Sequence, residues 1–437
     1  MEILKKALTM LKRHPLCDHC LGRQFALLGY KMNNKQRGES IKTLLTMEGH
    51  RLISSNKRGG ASLLRSIAVN GAFEIAFKTI NRTRNQKTKK RCYLCHNRFE
   101  SLQTLAKKTL DSLKDYEYTT FLVGIRLPIA FEEREDEFKG KFDIRYGESI
   151  RNEFSREIGK RVSNLSKKEV EYGKPEINAI IDPFSEEILL QVNPLYLAGR
   201  YNKLSRGIPQ TKWFCYVCGG KGCSKCDWSG EKYQESVETL IGEEILKKTE
   251  GTAAVFHAAG REDIDTLMLG RGRPFVLEIK RPRRRFMDLQ DLSFTINNHS
   301  KEKIRILELR FADKDSVRDL KRKESSKKIY RAIIEFDTNV NEEGVHLLEE
   351  ALMNIIIRQR TPLRVSHRRA DLVREKYVYE TKIERLKPNT IEMKIQCQGG
   401  LYIKELISGD EGRTNPNVTD LIGTKVLSVC LDVLDIL

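Results

Sequence analysis

The positions of the cysteines constrain the fold of this 437-residue sequence more than any other feature. Most of its ten cysteines lie in Cys-x-x-Cys pairs, namely Cys17/Cys20, Cys92/Cys95, Cys215/Cys218 and Cys223/Cys226. A Cys-x-x-Cys turn directs two thiolates towards one point, and two such turns complete a tetrahedral zinc site. The pattern therefore predicts two structural zinc sites.

The two predicted sites differ in their spacing. The second is compact, because Cys215 and Cys226 enclose a Cys-x2-Cys-x4-Cys-x2-Cys pattern whose glycines permit a tight connection. The first would join two pairs that are far apart in sequence, across the polar, basic segments 54–60 and 81–90, which we interpret as mobile loops. His19 and His96 are alternative ligands beside it. Disulfides are the alternative for every pair, but the sequence shows no secretory signal, which favours metal. The remaining Cys397 and Cys430 are interpreted as core cysteines.

The charge of the sequence is strongly positive, at +19 near neutral pH, with a pI of about 9.4. Such a balance is typical of proteins that bind phosphate groups of nucleic acids, although a merely soluble, lysine-rich protein would share it. No stretch reaches the length needed to span a bilayer. We therefore expect a soluble, cytoplasmic protein with no membrane partner, and the sequence indicates no obligate protein partner.

Hydrophobic periodicity predicts an α+β chain with two regions. In the first, residues 100–116 have the apolar face of a helix, and residues 119–127, 176–181 and 188–192 resemble strands. After residue 235 the pattern changes to alternating apolar and polar residues, as in half-buried antiparallel strands. Such strands are predicted at 274–279, 305–311, 330–336 and 391–397, with a helix at 342–357. We therefore place the domain boundary at 235/236, with the four-cysteine module, residues 213–230, in the first region.

Residues 196–210 place three cations, Arg200, Lys203 and Arg206, close to Tyr196 and Tyr201. Cations can meet RNA phosphates while aromatic rings stack on bases, so the stretch is suited to RNA. A solvated turn whose tyrosines pack inward would give the same pattern. The segment is thus a candidate RNA contact with a structural alternative.

Residues 256–275 combine three acidic residues with several arginines and glycines in a loop that enters a strand. A carboxylate beside arginines stays ionised even in a closed pocket, because the cations offset its desolvation. An ionised, oriented carboxylate is a competent nucleophile towards an electrophilic carbon. A surface ion pair is the simpler interpretation of the same residues.

Within this loop, Gly260-Arg-Glu-Asp-Ile-Asp followed by Gly272-Arg-Pro-Phe resembles the signature of the archaeal and eukaryotic THUMP-containing tRNA pseudouridine synthases, which act on tRNA positions 54 and 55 in the T-loop. Three later segments resemble further motifs of that family in the same order: Lys328-Ile-Tyr-Arg-Ala, Gly400-Leu-Tyr-Ile-Lys-Glu-Leu and residues 409–423. The first region resembles the family's RNA-binding half, with a THUMP-like domain at about 100–210. Leu267 departs from the pattern, since the family has an arginine there.

The resemblance implies the catalytic roles. Asp263 would attack or stabilise C1′ of the uridine, with Asp265 as the nearby rival that supports the loop. Lys404 would pair with Asp263 and keep it ionised. Tyr330 would stack on the base or move a proton from C5.

The resemblance also implies how the substrate is held. Arg261 would hold the flipped nucleotide or its phosphate, Tyr402 would contact the substrate, and Leu406 would form an apolar floor under the uracil. The basic runs at 280–285 and 358–374 would contact phosphates. The implied partner is tRNA, and the implied cofactor set is structural zinc without any organic cofactor.

The resemblance implies a pseudouridine synthase catalytic domain at residues 236–437. Two alternative interpretations of the function remain. One is a non-catalytic zinc-containing tRNA-binding protein that keeps the fold without the chemistry. The other is a different THUMP-type tRNA modification enzyme, although the sequence shows no glycine-rich strand-to-helix loop to bind a nucleotide cofactor.

Overall fold

The computed structural model describes residues 2–80, 90–322 and 326–437. The loop predicted at 81–90 therefore lies outside the described residues, except for Lys90. The chain divides into two compact units, Met1–Asn193 and Pro194–Leu437. This division differs from the predicted boundary at 235/236, because residues 195–203 form a strand in the sheet of the second unit and the four-cysteine module follows that strand.

The first unit begins with a group of helices and ends in a small sheet. Its elements are α1 (Glu2–Arg13), α2 (Asp18–Gly22), α3 (Asn34–Ser54), α4 (Gly60–Asn70), α5 (Glu74–Ile80), α6 (Leu102–Leu113), β1 (Thr120–Ile125), α7 (Ile129–Lys141), α8 (Ile150–Ser166), β2 (Glu169–Val170), β3 (Ile177–Ile181) and β4 (Ile188–Val192).

Local sequence signals set several of these helices. Asn33 and Gln36 form a reciprocal capping box that starts α3, and the Ser149 side chain caps α8. The strands have the order β2-β1-β3-β4, with β1 parallel to both β2 and β3, and β4 antiparallel to β3. Burial alternates along β1 and β3, so one face of the sheet packs into the core of this unit.

The second unit is built on a larger sheet. Its elements are β5 (Leu195–Lys203), α9 (Val237–Thr249), β6 (Ala253–Ala258), β7 (Leu267–Lys280), α10 (Leu289–His299), β8 (Ile304–Ala312), α11 (Lys314–Arg322), β9 (Lys328–Phe336), α12 (Glu342–Ala351), β10 (Ile355–Arg360), β11 (Val373–Lys387), β12 (Thr390–Cys397), α13 (Ile403–Ser408), β13 (Thr414–Asn415), α14 (Val418–Ile422) and β14 (Val426–Ile436).

Strand β14 joins two halves of this sheet. The order is β13-β10-β11-β12-β9-β14-β7-β5-β8, and β6 also pairs with β7. The pairs are antiparallel except for β14 with β7, where Asp432 and Val433 lie opposite Leu267 and Met268 in parallel register. One hydrophobic core lies against each half, and Tyr330 on β9 packs against both cores. The predicted α+β fold with an antiparallel sheet is confirmed, with this one parallel pair added.

The helix predicted at 342–357 is only partly correct. Helix α12 ends at Ala351, and the isoleucines that follow belong to β10, where buried and exposed positions alternate. Three consecutive β-branched residues favour a strand over a helix, because their side chains are restricted in a helix. Cys397 is buried as expected, whereas Cys430 is exposed on β14, so the core assignment of Cys430 is wrong. In the described ranges, no helix combines the length and the apolar character that crossing a membrane requires.

Candidate active site

A cavity of about 310 Å³ in the second unit lies beside strand β14. Its walls come from the β6–β7 loop, β9, the segment after β10, the start of α13, β14 and the four-cysteine module. The lining residues are Trp213, Arg261, Glu262, Asp263, Ile264, Thr266, Tyr330, Arg364, Val365, Arg369, Leu401, Tyr402, Ile403, Lys404, Leu431 and Val433. The two halves of the sheet therefore contribute to one cavity, and most of the catalytic and substrate-binding residues implied by the family resemblance line it.

Asp263 presents an accessible carboxylate to this cavity. Its side chain is 39% exposed, and its two oxygens face two different cations. Oδ1 lies 3.3 Å from Nη1 of Arg364, and Oδ2 lies 3.5 Å from Nζ of Lys404. The carboxylate thus lies between two cations, and an ionised carboxylate can act as a nucleophile.

Lys404 contacts both aspartates of the loop, but not equally. Its Nζ lies 2.8 and 2.9 Å from the two carboxylate oxygens of Asp265, closer than it lies to Asp263. Burial alone would raise the pKa of Asp265, yet the bonds from Lys404 outweigh it and lower that pKa. The expected pair of Lys404 with Asp263 is therefore a longer contact, and Asp265 fixes the position of the lysine.

Arg364 is the closest cation to Asp263, and it was not singled out from the sequence. Its Nε donates a hydrogen bond to the buried carboxylate of Glu405 on α13, while Nη1 reaches Asp263. Glu405 thus holds the guanidinium against the loop. The only signal in the sequence is the basic run 358–374, which does not reveal which arginine enters the cavity.

Lys203 does not contact solvent, so its predicted role in RNA binding is wrong. Its Nζ donates hydrogen bonds to three backbone carbonyls, those of Ile208 (2.8 Å), Asp263 (3.0 Å) and Ile264 (2.9 Å). Burial lowers the pKa of Lys203 to about 8, against the attraction of neighbouring carboxylates. A buried ammonium therefore fixes the backbone at the candidate nucleophile.

A second buried network holds the start of the same loop. Glu262 accepts hydrogen bonds from the hydroxyl of Tyr201 (2.8 Å) and the amide of Gln210 (3.3 Å), and it pairs with Arg273 at 2.7 Å. Arg273 also donates to the carbonyl of Ala259. The four side chains of this network are buried. They hold the loop on the side that faces the protein interior, and Asp263 faces the cavity.

Arg200 and Arg206 also have partners inside the protein. Arg200 donates to the carbonyls of Arg271 and Gly272, and Arg206 pairs with Asp432 on β14 at 2.6 Å. Both arginines remain partly exposed. Their contact with RNA therefore stays a prediction, while their observed contacts connect β5 and its following loop to neighbouring strands.

The ring of Tyr330 forms one wall of the cavity. Burial raises the pKa of Tyr330 well above its ordinary value. The hydroxyl therefore stays protonated at neutral pH and can donate a hydrogen bond.

Arg261 and Tyr402 line the cavity as expected, each beside another ring or cation. The guanidinium of Arg261 lies 5.3 Å from the ring centre of Trp213, and that of Arg364 lies 5.7 Å from the ring centre of Tyr402. Arg369 lies near the same tyrosine ring. Cations and flat rings are therefore interleaved at the cavity wall, as in sites for nucleotides.

Leu406 was predicted as the apolar floor, and this prediction is wrong. Its side chain is fully buried in the core beside α13, and it is absent from the described residues that line the cavity. Leu406 lies on the face of α13 that packs into this core. The apolar wall is formed instead by Leu401, Ile403, Leu431 and Val433.

Both groups of four cysteines predicted to share a metal come together. In each group the four sulfurs lie within 4.8 Å of one another, including Cys17 and Cys20 with the distant Cys92 and Cys95. In the described ranges the two groups consist of cysteines alone. His19 instead bonds Glu153, and His96 bonds Arg134. Four converging thiolates could hold a metal ion at each position.

Comparison with known families identifies matches to both units. A model described as "Pus10, C-terminal" matches residues 196–437, and one described as "Pus10 THUMP domain, archaeal" matches residues 105–182.

Two curated relatives match the chain along its length, and both are named tRNA pseudouridine synthase Pus10. The protein from Methanothrix thermoacetophila is 40% identical over 100% of this chain and 94% of its own length. The protein from Methanocaldococcus jannaschii is 42% identical over 100% of this chain and 94% of its own length. A solved Cbf5-Nop10-Gar1 complex is similar with a TM-score of 0.29 and 14% identity, over 54% of this chain and 47% of that one. A score that low supports no statement about this chain.

Proposed function

Because this chain belongs to the Pus10 family of tRNA pseudouridine synthases, we propose that it isomerises uridine in the T-loop of tRNA, at position 54, position 55 or both, with Asp263 as the nucleophile. The observation that carries this proposal is the accessible carboxylate of Asp263 in the cavity, between the cations of Arg364 and Lys404.

The first half of the reaction breaks the bond between N1 of uracil and C1′ of the ribose. Asp263 would attack C1′ or stabilise the positive charge that develops there, which requires its ionised form. Arg364 and Lys404 lie beside the two oxygens and orient them. Since the carbonyl of Asp263 is fixed by Lys203, the nucleophile reaches the sugar from a rigid backbone.

The second half turns the base, joins C5 to C1′ and transfers a proton from C5, with N1 protonated in its place, so that the product is an isomer of uridine. The reaction is an isomerisation, so no atoms or electrons enter or leave. A protonated Tyr330 can stack on the uracil and donate a hydrogen bond, but its phenol is a poor acceptor for the C5 proton. We therefore assign Tyr330 to holding the base.

A uridine within a folded loop must leave its stack before this chemistry, and the enzyme must compensate for the lost stacking. The walls of the cavity provide for both. Leu401, Ile403, Leu431 and Val433 supply an apolar surface for the base, while the cations beside Tyr402 and Trp213 lie where a phosphate could bind.

We also propose that each group of four cysteines binds one structural zinc ion. The four thiolates of each group have the donor type and number that tetrahedral zinc requires, with none left over for catalysis. Metal analysis of the purified chain should find about two zinc ions per protein. A value of one would show that one of the two groups does not load.

The substitution Asp263→Asn tests the nucleophile, because it keeps the shape of the side chain and removes its charge. We expect tRNA binding to persist while pseudouridine formation falls by at least about 10³-fold in single-turnover assays with chemical mapping. Asp265→Asn is the matched control, and it should reduce the rate without abolishing it. Retained modification by Asp263→Asn would remove Asp263 from this role.

Unmodified tRNA transcripts test whether the uridine at position 54 or at position 55 is modified. Transcripts in which either U54 or U55 is replaced by cytidine should show which uridine the enzyme modifies. If the wild-type chain binds these transcripts and never forms pseudouridine, the alternative of a non-catalytic tRNA-binding protein is favoured.

A further inference from the structure

The four-cysteine module exposes three large aromatic rings to solvent. Phe214, Tyr216 and Trp228 are 66%, 82% and 76% exposed, respectively, although all three lie next to or near metal-site cysteines. Rings with this exposure add nothing to a hydrophobic core. Several exposed apolar side chains within one small module commonly mark a contact surface.

The backbone at Trp228 is held in a conformation that disfavours tryptophan. The two knuckles of the module repeat one pattern of positive φ angles: 59°, 92° and 88° at Gly219, Gly220 and Gly222, then 49°, 61° and 73° at Asp227, Trp228 and Gly230. The first knuckle uses glycine throughout, which adopts such angles without a steric penalty. Trp228 occupies the position of Gly220, although a bulky residue with positive φ is uncommon.

Trp228 is thus both strained and exposed, so neither local folding nor core packing accounts for it. A glycine at this position would make the same turn, as Gly220 shows in the first knuckle. Strained residues in native proteins are concentrated at functional sites. The side chain is therefore best explained by a molecule that contacts it from outside.

The four-cysteine module adjoins the cavity that contains Asp263. Trp213, at the start of the module, lines that cavity and lies against Arg261 of the β6–β7 loop. The module also carries charge suited to RNA, since Lys221 and Lys225 are both exposed. Across the ranges that the structure describes, neither lysine is in an ion pair.

We propose that Phe214, Tyr216 and Trp228 form a stacking surface for unpaired bases of tRNA beside the reacting uridine. Bases stack on exposed rings irrespective of sequence, while neighbouring lysines meet the phosphates. The inference rests on the proposed function, because it assigns the surface to the same RNA substrate. A protein partner is the other occupant that such rings could take, and the experiments below separate the two.

The substitution Trp228→Gly should have opposite effects on folding and on tRNA binding. It relieves backbone strain, so zinc content and melting temperature should stay unchanged or rise. It removes a stacking ring, so the Kd for an unmodified tRNA transcript should increase by about tenfold. Trp228→Phe should retain most of the affinity. Phe294→Ala is the matched control, because Phe294 on α10 is 67% exposed in the same unit but outside the module, and its removal should leave Kd unchanged.

Fluorescence provides a readout that does not depend on activity. The chain has two tryptophans, so in the variant Trp213→Phe the emission comes from Trp228 alone. Stacking of a base should quench this emission when the tRNA transcript is added. Because the signal reports binding, it would persist even if the wild-type protein failed to form pseudouridine, and the two proposals can fail separately.

The proposal would be overturned by tRNA affinity that is unchanged in both Trp228→Gly and Tyr216→Ala, or by a tRNA complex in which Trp228 emission is not quenched. Unchanged affinity together with altered self-association would assign the surface to a protein contact instead. Loss of zinc from Trp228→Gly would also overturn it, because the ring would then have a structural role that the strain argument excludes.

Discussion

The two groups of four cysteines have the same ligands but different surroundings. In the first unit, Cys20, Cys92 and Cys95 are buried and belong to the main hydrophobic core. Arg23, also buried, donates to the sulfur of Cys20 at 3.5 Å and pairs with Glu135 at 3.1 Å. In the second unit, the four-cysteine module lies outside the described core clusters, and its sulfurs accept hydrogen bonds from its own backbone.

This difference separates a proposed metal site that is part of a fold from one that supports a surface. The first group joins Cys17 and Cys20 to a segment far along the chain, so the core depends on it. The second group closes only a short loop. In the second unit one buried cation that fixes distant segments is Lys203, and it binds backbone carbonyls rather than a metal site.

The substitution Cys20→Ser should therefore have the largest effect on the protein. Loss of one ligand would remove the proposed structural zinc, whose binding is coupled to folding, at a cost of more than about 5 kcal/mol, which is comparable with the stability of a whole domain. We expect the first unit to unfold, with zinc falling from two to one per chain, as measured by limited proteolysis and metal analysis. A variant that resists protease like the wild type would contradict a structural role for the buried group.

Lys203→Met should come next, because it removes the ammonium that joins the carbonyls of Ile208, Asp263 and Ile264. We expect kcat/KM for pseudouridine formation to fall by about 10²-fold, since a small displacement of the nucleophile has effects of this size. Lys303→Met, at a partly exposed lysine paired with Glu235, is the control and should change little. If both variants were equally active, the buried lysine would not position the loop.

Cys223→Ser should have a smaller effect on folding than either. The melting temperature of the second unit should shift by no more than about 2 °C, because the core clusters do not include the module. Zinc should again fall by one per chain, and tRNA affinity should decrease as it does for Trp228→Gly. A collapse of the second unit comparable to that of Cys20→Ser would remove the contrast between the two sites.

The smallest effect concerns pH. Lys203 has a pKa of about 8, lowered by burial and partly restored by Glu262, Asp265 and Asp263. Above this value the neutral amine has two N–H donors for three carbonyls, so kcat/KM should decline by a few-fold as the pH is raised past that pKa. The decline should vanish in Lys203→Met.

As the pH is raised, titration of Lys203 should increase the stability of the fold, whereas it should decrease kcat/KM. The folded pKa lies below the value of about 10.4 for an unfolded chain. Over the interval between them the unfolded state binds more protons, so the contribution of Lys203 to the free energy of unfolding rises with pH. Denaturant titrations on either side of the folded pKa, compared between wild type and Lys203→Met, measure this contribution.

The parts of this protein that could be predicted from sequence are those with local signatures. Cys-x-x-Cys spacing indicates a turn that can bind a metal, and alternation along a strand indicates one buried face. The Gly-Arg-Glu-Asp motif indicates the loop that carries Asp263. Cys17 and Cys92 were predicted to share a site because a tetrahedral metal needs four ligands and each Cys-x-x-Cys pair supplies two. The structure brings the two pairs together.

The rest depended on contacts between distant segments. Arg364 and Asp263 are 101 residues apart, and Lys203 is 60 residues from the same aspartate. Burial of a lysine is decided by the strands packed around it, not by its sequence neighbours, which is why Lys203 resembled an RNA contact. Leu406 was misplaced for a similar reason, because Leu431 and Val433 reach the cavity only through the pairing of β14.

The position of β14 has a consequence for synthesis on the ribosome. Until residues 426–436 emerge, β9 lacks a partner on one edge, Leu267 and Met268 at the start of β7 lack their parallel partner, and the halves of the sheet that carry Asp263 and Tyr330 are not joined. A nascent chain up to that point would expose the unpaired edge of β9 and the uncovered edge at the start of β7, and such edges promote aggregation. Translation of this short segment would at once cover both edges and bring the nucleophile to the base-binding wall.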